Sequence, residues 1–289
     1  MSASYYSAQT LRPGAYRLTS AENVYMDLFV GKEKALLWDT GYGFGNLLGK
    51  IREITDLPLT VVNSHGHPDH ACGNFQFPAP VYIHPEDMEL CLQFNSKSSR
   101  AAAVEASRHF YNFALQREVS LLPEDFDPAA YIDAPAPGLA PLEAGHVFDL
   151  GGIQLETVHL PGHTGGSLAL LWRAERLLYV GDAIAGFLFL FLPESKSLRT
   201  YRASLDKAEA LPFDAMVPGH GFDPIPRAML SRFRRCTLEL DHSKGLPFRP
   251  MPGMAQVRDT RICVLDGQGL EDFGKPDFVS IVIDPTHMD

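Results

Sequence analysis

The sequence predicts an α/β fold with a functional site gathered along one edge of a sheet. Short apolar runs closed by Gly or Pro recur along the chain, and stretches of helical periodicity lie between them. The residues just past the runs are repeatedly histidines and aspartates. Runs of the first kind read as buried strands, and apolar residues three and four apart read as helices. In open α/β architectures, sites collect on the loops beyond the strand ends. At 289 residues the chain can bury a substantial core, as one large domain or two small ones.

The elements follow in order. Ala35–Trp38 runs into Asp39, and Leu59–Val62 runs into Ser64-His65-Gly66-His67-Pro68-Asp69-His70. Ile153–Val158 leads to Pro161-Gly162-His163, Leu177–Val180 to Gly181-Asp182, and Ala215–Val217 to Pro218-Gly219-His220. Glycines beside these residues let the backbone turn sharply and approach a bound ion. Pro85 followed by acidic residues predicts a helix over Glu86–Phe94. Val104, Phe110, Phe113 and Leu115 predict another over Ser98–Arg117, a candidate lid carrying His109, Tyr111 and Phe113. The Pro- and Ala-rich segment Asp127–Gly138 reads as a loop. Tyr201–Leu211 is amphipathic, with Leu205 and Ala208 toward a core. Phe187, Phe189 and Phe191 alternate, so a strand there turns one aromatic face to the core or to substrate. Past His220, Ala228–Leu240 reads as helix, Leu246–Gly253 is broken by prolines, and Arg261–Leu265 and Phe278–Ile283 read as strands. Residues 1–225 are expected to form the catalytic domain, with 226–289 a C-terminal extension packed on it.

Composition narrows the partners. The net charge of −10, from 35 acidic and 25 basic side chains, repels phosphate backbones and argues against nucleic acid. The cluster Arg232, Arg234 and Arg235 reads as a solvated helix face. No basic stretch followed by an apolar run opens the chain. Its longest apolar run, Phe187–Leu192, falls far short of the roughly 20 residues that span a bilayer, so no membrane association is expected. Cys72, Cys91, Cys236 and Cys263 lie far apart with no C-x-x-C pair, which suits reduced thiols and a cytoplasmic location. A small-molecule substrate fits these bounds.

The donor chemistry is specific. His65, His67, Asp69, His70, His163, Asp182 and His220 offer imidazole nitrogens and carboxylate oxygens, which suit zinc and other divalent first-row metals. Three histidines can fill one site; two histidines, a carboxylate and a shared carboxylate can fill a second. If Ser64–His67 is extended, His65 and His67 point the same way, while Asp69 and His70 lie beyond a proline-induced turn. His84, between a strand and a helix, is better explained by local hydrogen bonding, and His159 by the pocket wall or strand alternation. Two metals that share a water lower its pKa from roughly 16 toward about 7, which makes hydroxide at neutral pH.

The ordered motifs resemble the metallo-β-lactamase superfamily over roughly Asn23 to Gly221. Trp38-Asp39-Thr40-Gly41 looks like its first motif, His65 to His70 its second, and His163, Asp182 and His220 its third, fourth and fifth. The resemblance implies a four-layer αββα sandwich and a dinuclear site of two divalent metal ions, zinc first, with iron or manganese also suited. It implies that His65, His67 and His163 bind one metal, Asp69, His70 and His220 the other, and that Asp182 bridges them. It puts Asp39 behind the ligands, accepting a histidine N–H. Asp69 is the candidate for orienting the attacking water and moving its proton. Asp182 argues against β-lactam hydrolysis and looks like the hydroxyacylglutathione hydrolase and lactonase branch, although the tyrosine common shortly after that aspartate in lactonases is absent. The expected reaction is hydrolysis of a small ester, thioester or lactone. The alternatives are a phosphodiesterase on the same site or an iron-dependent oxidoreductase like persulfide dioxygenase. The latter uses one metal and leaves Asp69 and His70 without a metal role.

Overall fold

Ala35–Trp38 is a strand buried at all four positions, as an apolar run without polar alternation requires. In the computed structural model, which describes residues 5–78, 80–112, 117–221, 224–249 and 259–289, this strand is where its sheet changes character. Before it, Ser7–Arg12, Ala15–Thr19 and Tyr25–Val30 form an antiparallel meander. Beyond it, Leu59–Val62, Val81–Ile83 and Leu139–Pro141 join in parallel. Parallel strands end at the same edge, so the loops holding Asp39, the Ser64–His70 segment and His84 all leave on one side. Behind that edge, Leu18, Met26, Leu28, Leu37 and Val61 pack against Leu47 and Ile51 of the helix Leu47–Arg52.

These elements belong to one of two compact units, residues up to Leu142 together with Phe148–Gln154. Its helices show where sequence signals hold and where they fail. Pro85–Phe94 is helical, and His84 caps it by accepting from the Glu86 amide at 3.3 Å. The expected helix over Ser98–Arg117 is shorter, Lys97–Arg108. Phe110–Asn112 is instead a strand paired antiparallel with Arg117–Val119, which fits the preference of aromatic residues for pleated backbone. Phe113 and Leu115 lie outside the described residues. Within the expected loop Asp127–Gly138 sits a short helix, Pro128–Ile132, nucleated by a cap: Asp127 accepts from the amides of Ala129 and Ala130.

The second unit comprises Glu143–Val147 and Leu155–Asp289. Leu168–Trp172 lies antiparallel between Gln154–His159 and Leu177–Gly181, and Ala215–Pro218 runs parallel to the last of these. Three strands therefore share a direction, and the segments with His163, Asp182 and His220 follow their C-terminal ends. Leu171, Leu178, Val180 and Met216 form its core with Tyr201, Leu205 and Ala208 of the helix Leu198–Glu209 and Phe233 of Leu230–Glu239. The expected C-terminal strands are present as Arg261–Val264 and Ser280–Ile283. They build a separate sheet with Phe187–Leu190 and Leu246–Pro247, in which Ser280–Ile283 pairs parallel with Phe187–Leu190. Leu188 and Leu190 enter the core, whereas Phe187 and Phe189 stay half-buried on the opposite face. Among the described residues, no helix is long and apolar enough to cross a membrane.

Candidate metal centre

In the first unit the donors rest on Asp39. Its Oδ1 accepts from the Ser64 amide at 2.6 Å and its Oδ2 from the Ser64 hydroxyl at 2.8 Å. The hydroxyl has one proton, and Asp39 takes it. At 2.9 Å, His65 Nδ1 must therefore donate to Ser64 Oγ, which leaves the lone pair of that ring on Nε2. The same logic fixes His70: its Nδ1 donates to Asp39 Oδ2 at 2.9 Å, both side chains being fully buried. One carboxylate thus sets the tautomer and orientation of two imidazoles, directly for His70 and through Ser64 for His65.

The rings so held converge. His65 Nε2 and His67 Nδ1 are 3.0 Å apart, and the His65 and His70 rings lie 4.2 Å apart between centroids. Tetrahedral zinc with metal–nitrogen distances of about 2.0–2.1 Å separates its ligands by about 3.3 Å. Asp69 Oδ2 stands 3.7 Å from His70 Nε2. The turn that brings Asp69 and His70 round is the short helix Pro68–Ala71, with proline at its first position. Its backbone is pinned where His70 O accepts from the Thr40 amide at 2.8 Å and the Asn63 side chain at 2.9 Å. Gly66 lies flat against the helix Pro85–Phe94: its amide donates to Asp87 Oδ2 at 2.9 Å, and a β-carbon there would sit 2.9 Å from Asp87 O and Cys91 N.

In the second unit the loop Pro161–Ser167 is tied down on each side of His163. Ser204 of the helix Leu198–Glu209 donates to Pro161 O at 2.7 Å, Ser195 donates to His163 O at 2.9 Å, and the Thr164 amide donates to Ser167 Oγ at 3.1 Å. His163 Nδ1 donates to the Phe189 carbonyl at 3.1 Å, so its Nε2 carries the lone pair. That nitrogen lies 3.8 Å from Asp182 Oδ2, and His220 Nε2 lies 3.5 Å from the same oxygen. One carboxylate oxygen is thus flanked by two imidazoles from different loops. His159 is not in this group: its Nε2 bonds Gly165 O at 2.7 Å and braces the loop.

The residues present fit divalent ions: the donors are nitrogen and oxygen, the tautomers of His65, His70 and His163 are set from behind, and the spacings approach those of a coordination edge. All seven candidate donors expected from the sequence lie in these two groups, whereas the sequence pattern does not single out Ser64, Asn63, Ser195 or the Phe189 carbonyl as their partners. Ser64 and Asn63 adjoin the second motif and were visible as polar residues beside it. Ser195 and the Phe189 carbonyl come from distant segments, and nothing in the sequence signals that they bond the His163 loop. The buried Cys72 sulfur points at Phe94 O at 3.4 Å, and burial raises its pKa well above the ordinary range for a thiol.

The chain belongs to the metallo-beta-lactamase superfamily, whose family model matches residues 22–220. It is a metal-dependent hydrolase of that superfamily, and its mixed α/β architecture is the metallo-β-lactamase fold. It is 27% identical over 210 residues to the acyl-coenzyme A thioesterase MBLAC2 of Bos taurus, covering 66% of this chain and 70% of that protein. Over 97 residues it is 30% identical to the atrochrysone carboxyl ACP thioesterase AgnL7 of Paecilomyces divaricatus, covering 34% of this chain and 30% of that one. Among solved structures, the metallo-beta-lactamase from Pontibacter korlensis superposes with a TM-score of 0.58 at 18% identity, over 81% of this chain and 100% of that one. At that identity the likeness speaks for fold alone.

Proposed function

We propose that this chain hydrolyses acyl thioesters with the help of two divalent metal ions. In this assignment His65, His67 and His163 would hold one ion, Asp69, His70 and His220 would hold the other, and Asp182 would serve both. The observation that carries it is Asp182 Oδ2, placed 3.8 Å from His163 Nε2 and 3.5 Å from His220 Nε2. Those two histidines belong to different sets, so a carboxylate oxygen between them is where a bridge belongs. That aspartate supports a likeness to the hydroxyacylglutathione hydrolase-like branch. The names of the relatives add the thioester. Zinc leads the candidate metals, and the donor set also accepts iron or manganese. Residues 1–225 are the catalytic part in this reading, and 226–289 the extension. The buried thiols of Cys72, Cys91, Cys236 and Cys263 suit a reducing cytoplasm.

When bound, such ions polarise a carbonyl and bring the pKa of water toward about 7. The chain does the rest. Asp39 keeps the His65 and His70 rings in register, so their nitrogens need no reorganisation during the reaction. Asp69, partly exposed beside His70 Nε2, orients the attacking water, takes its proton on a carboxylate oxygen and returns it to the departing sulfur. The carbonyl carbon gains an oxygen and loses its bond to sulfur, giving a carboxylic acid and a thiol. A thiol of pKa about 8.5 leaves far more readily than an alcohol, which favours thioesters over oxygen esters.

Elemental analysis of purified protein should find about two equivalents of metal. Metal-loaded protein assayed against acyl thioesters, lactones, aryl esters, phosphodiesters and β-lactams should turn over thioesters best and β-lactams poorly. No more than one metal after reconstitution, or rapid β-lactam turnover with inert thioesters, would overturn the reading.

A further inference from the structure

Five residues past Asp182 the chain enters the strand Phe187–Leu190, whose two faces do different jobs. Leu188 and Leu190 fill the core of the second unit. The opposite face is aromatic: Phe187 and Phe189 are 5.3 Å apart between ring centroids, and Phe189 and Phe191 are 5.3 Å apart. Phe248 lies beside them, 5.7 Å from Phe189 and 5.3 Å from Phe191. Phe273 extends the row outward, 5.4 Å from Phe187.

Exposure rises along this row. Phe191 is fully buried, Phe189 and Phe187 are half-buried, and Phe273 is 63% exposed. At strand spacing the positions of Phe191 and Phe187 are about 13 Å apart, the reach of a medium-length hydrocarbon chain. Leu192, Ile262 and Val282 complete the apolar cluster. It is also joined to the chemistry, because the Phe189 carbonyl is the acceptor that orients His163.

We propose that the row Phe191, Phe189, Phe187 and Phe273, flanked by Phe248, binds the acyl chain of the substrate, selecting medium-length apolar acyl groups over acetyl. This rests on the thioesterase reading for the reaction but concerns its specificity. Each methylene laid on an apolar wall raises affinity about fourfold when fully covered. An octanoyl thioester should therefore exceed the acetyl thioester in kcat/KM by well over a hundredfold at full coverage, and by about tenfold or more at partial coverage.

The test compares octanoyl and acetyl thioesters in the native protein, Phe187→Ala, Phe273→Ala and the conservative Phe187→Leu. The octanoyl-to-acetyl ratio of kcat/KM should fall at least fivefold in each alanine variant, through KM, and return toward the native value in Phe187→Leu. Phe273, being exposed, can be removed without loss of fold, so its variant stands even if Phe187→Ala unfolds. Thioester turnover with an unchanged ratio in Phe273→Ala would overturn the acyl site and leave the thioesterase reading intact. Titration with octanoyl and acetyl thioethers, which cannot be hydrolysed, reads the site without turnover. Octanoyl binding at least tenfold tighter than acetyl, and weakened in Phe273→Ala, supports it; equal binding overturns it, whatever the panel shows for the reaction.

Discussion

Asp39 does more than any other single residue to prepare the first group of donors. It receives the Ser64 amide, the Ser64 hydroxyl and His70 Nδ1. It adopts φ of 66°, a left-handed conformation that aspartate tolerates better than most residues. Asp39→Ala keeps every metal donor but releases the rings of His65 and His70. Metal affinity, measured by competition with a chelator, should fall by about 10–100-fold, the range expected when the partner behind a ligand is lost. An unchanged affinity would show that packing alone holds the rings. The seven candidate donors were legible in the sequence because six stand beside Gly or Pro past an apolar run, and His70 closes the same cluster as three of them. Their partners were not, since a serine or a backbone carbonyl acquires its role only through the fold.

At the scale of the element, Gly66 decides how the H-x-H strand end meets the helix Pro85–Phe94. A methyl group there would press on Asp87 O and on Cys91 N, both backbone atoms, at 2.9 Å. Gly66→Ala should destabilise the fold by about 1–3 kcal/mol in urea denaturation and lower metal affinity by shifting His65 and His67. A stability equal to the native protein's would mean that the helix yields without cost. Elements with a strong pattern were read correctly, among them Ala35–Trp38 and Pro85–Phe94. Those without one were missed. Ser7–Arg12 is almost wholly exposed and carries no apolar signature. The helix Pro128–Ile132 depends on one cap, Asp127, inside a composition that otherwise argues for a loop.

For the molecule as a whole, one buried acid links stability to pH. Burial raises the pKa of the Glu22 carboxyl above its ordinary range, with smaller opposing contributions from bonds to Tyr5 and Ser20. The native state therefore holds this proton more tightly than the unfolded chain does. Its stabilising contribution is complete below the unfolded glutamate pKa of about 4.3 and is lost as pH rises through the raised native value. Glu22→Gln removes that dependence. The melting temperature of the variant relative to the native protein should be higher at pH 8 than at pH 4; the same difference at both values would exclude Glu22 as the source.

The pairing of Ser280–Ile283 with Phe187–Leu190 has a consequence for solubility. Phe187–Leu190 alternates phenylalanine and leucine and carries no charge, a composition that invites addition of strands from other molecules when its edge is bare. The late segment of the chain occupies that edge with its own backbone, in parallel register from Phe187↔Ser280 to Leu190↔Ile283. One hydrogen-bonding edge of this strand is thus taken by the chain itself, although the strand stands at the end of its sheet. A segment near the end of the sequence thereby halves the edge that a charge-free strand nearly a hundred residues earlier would offer to other molecules.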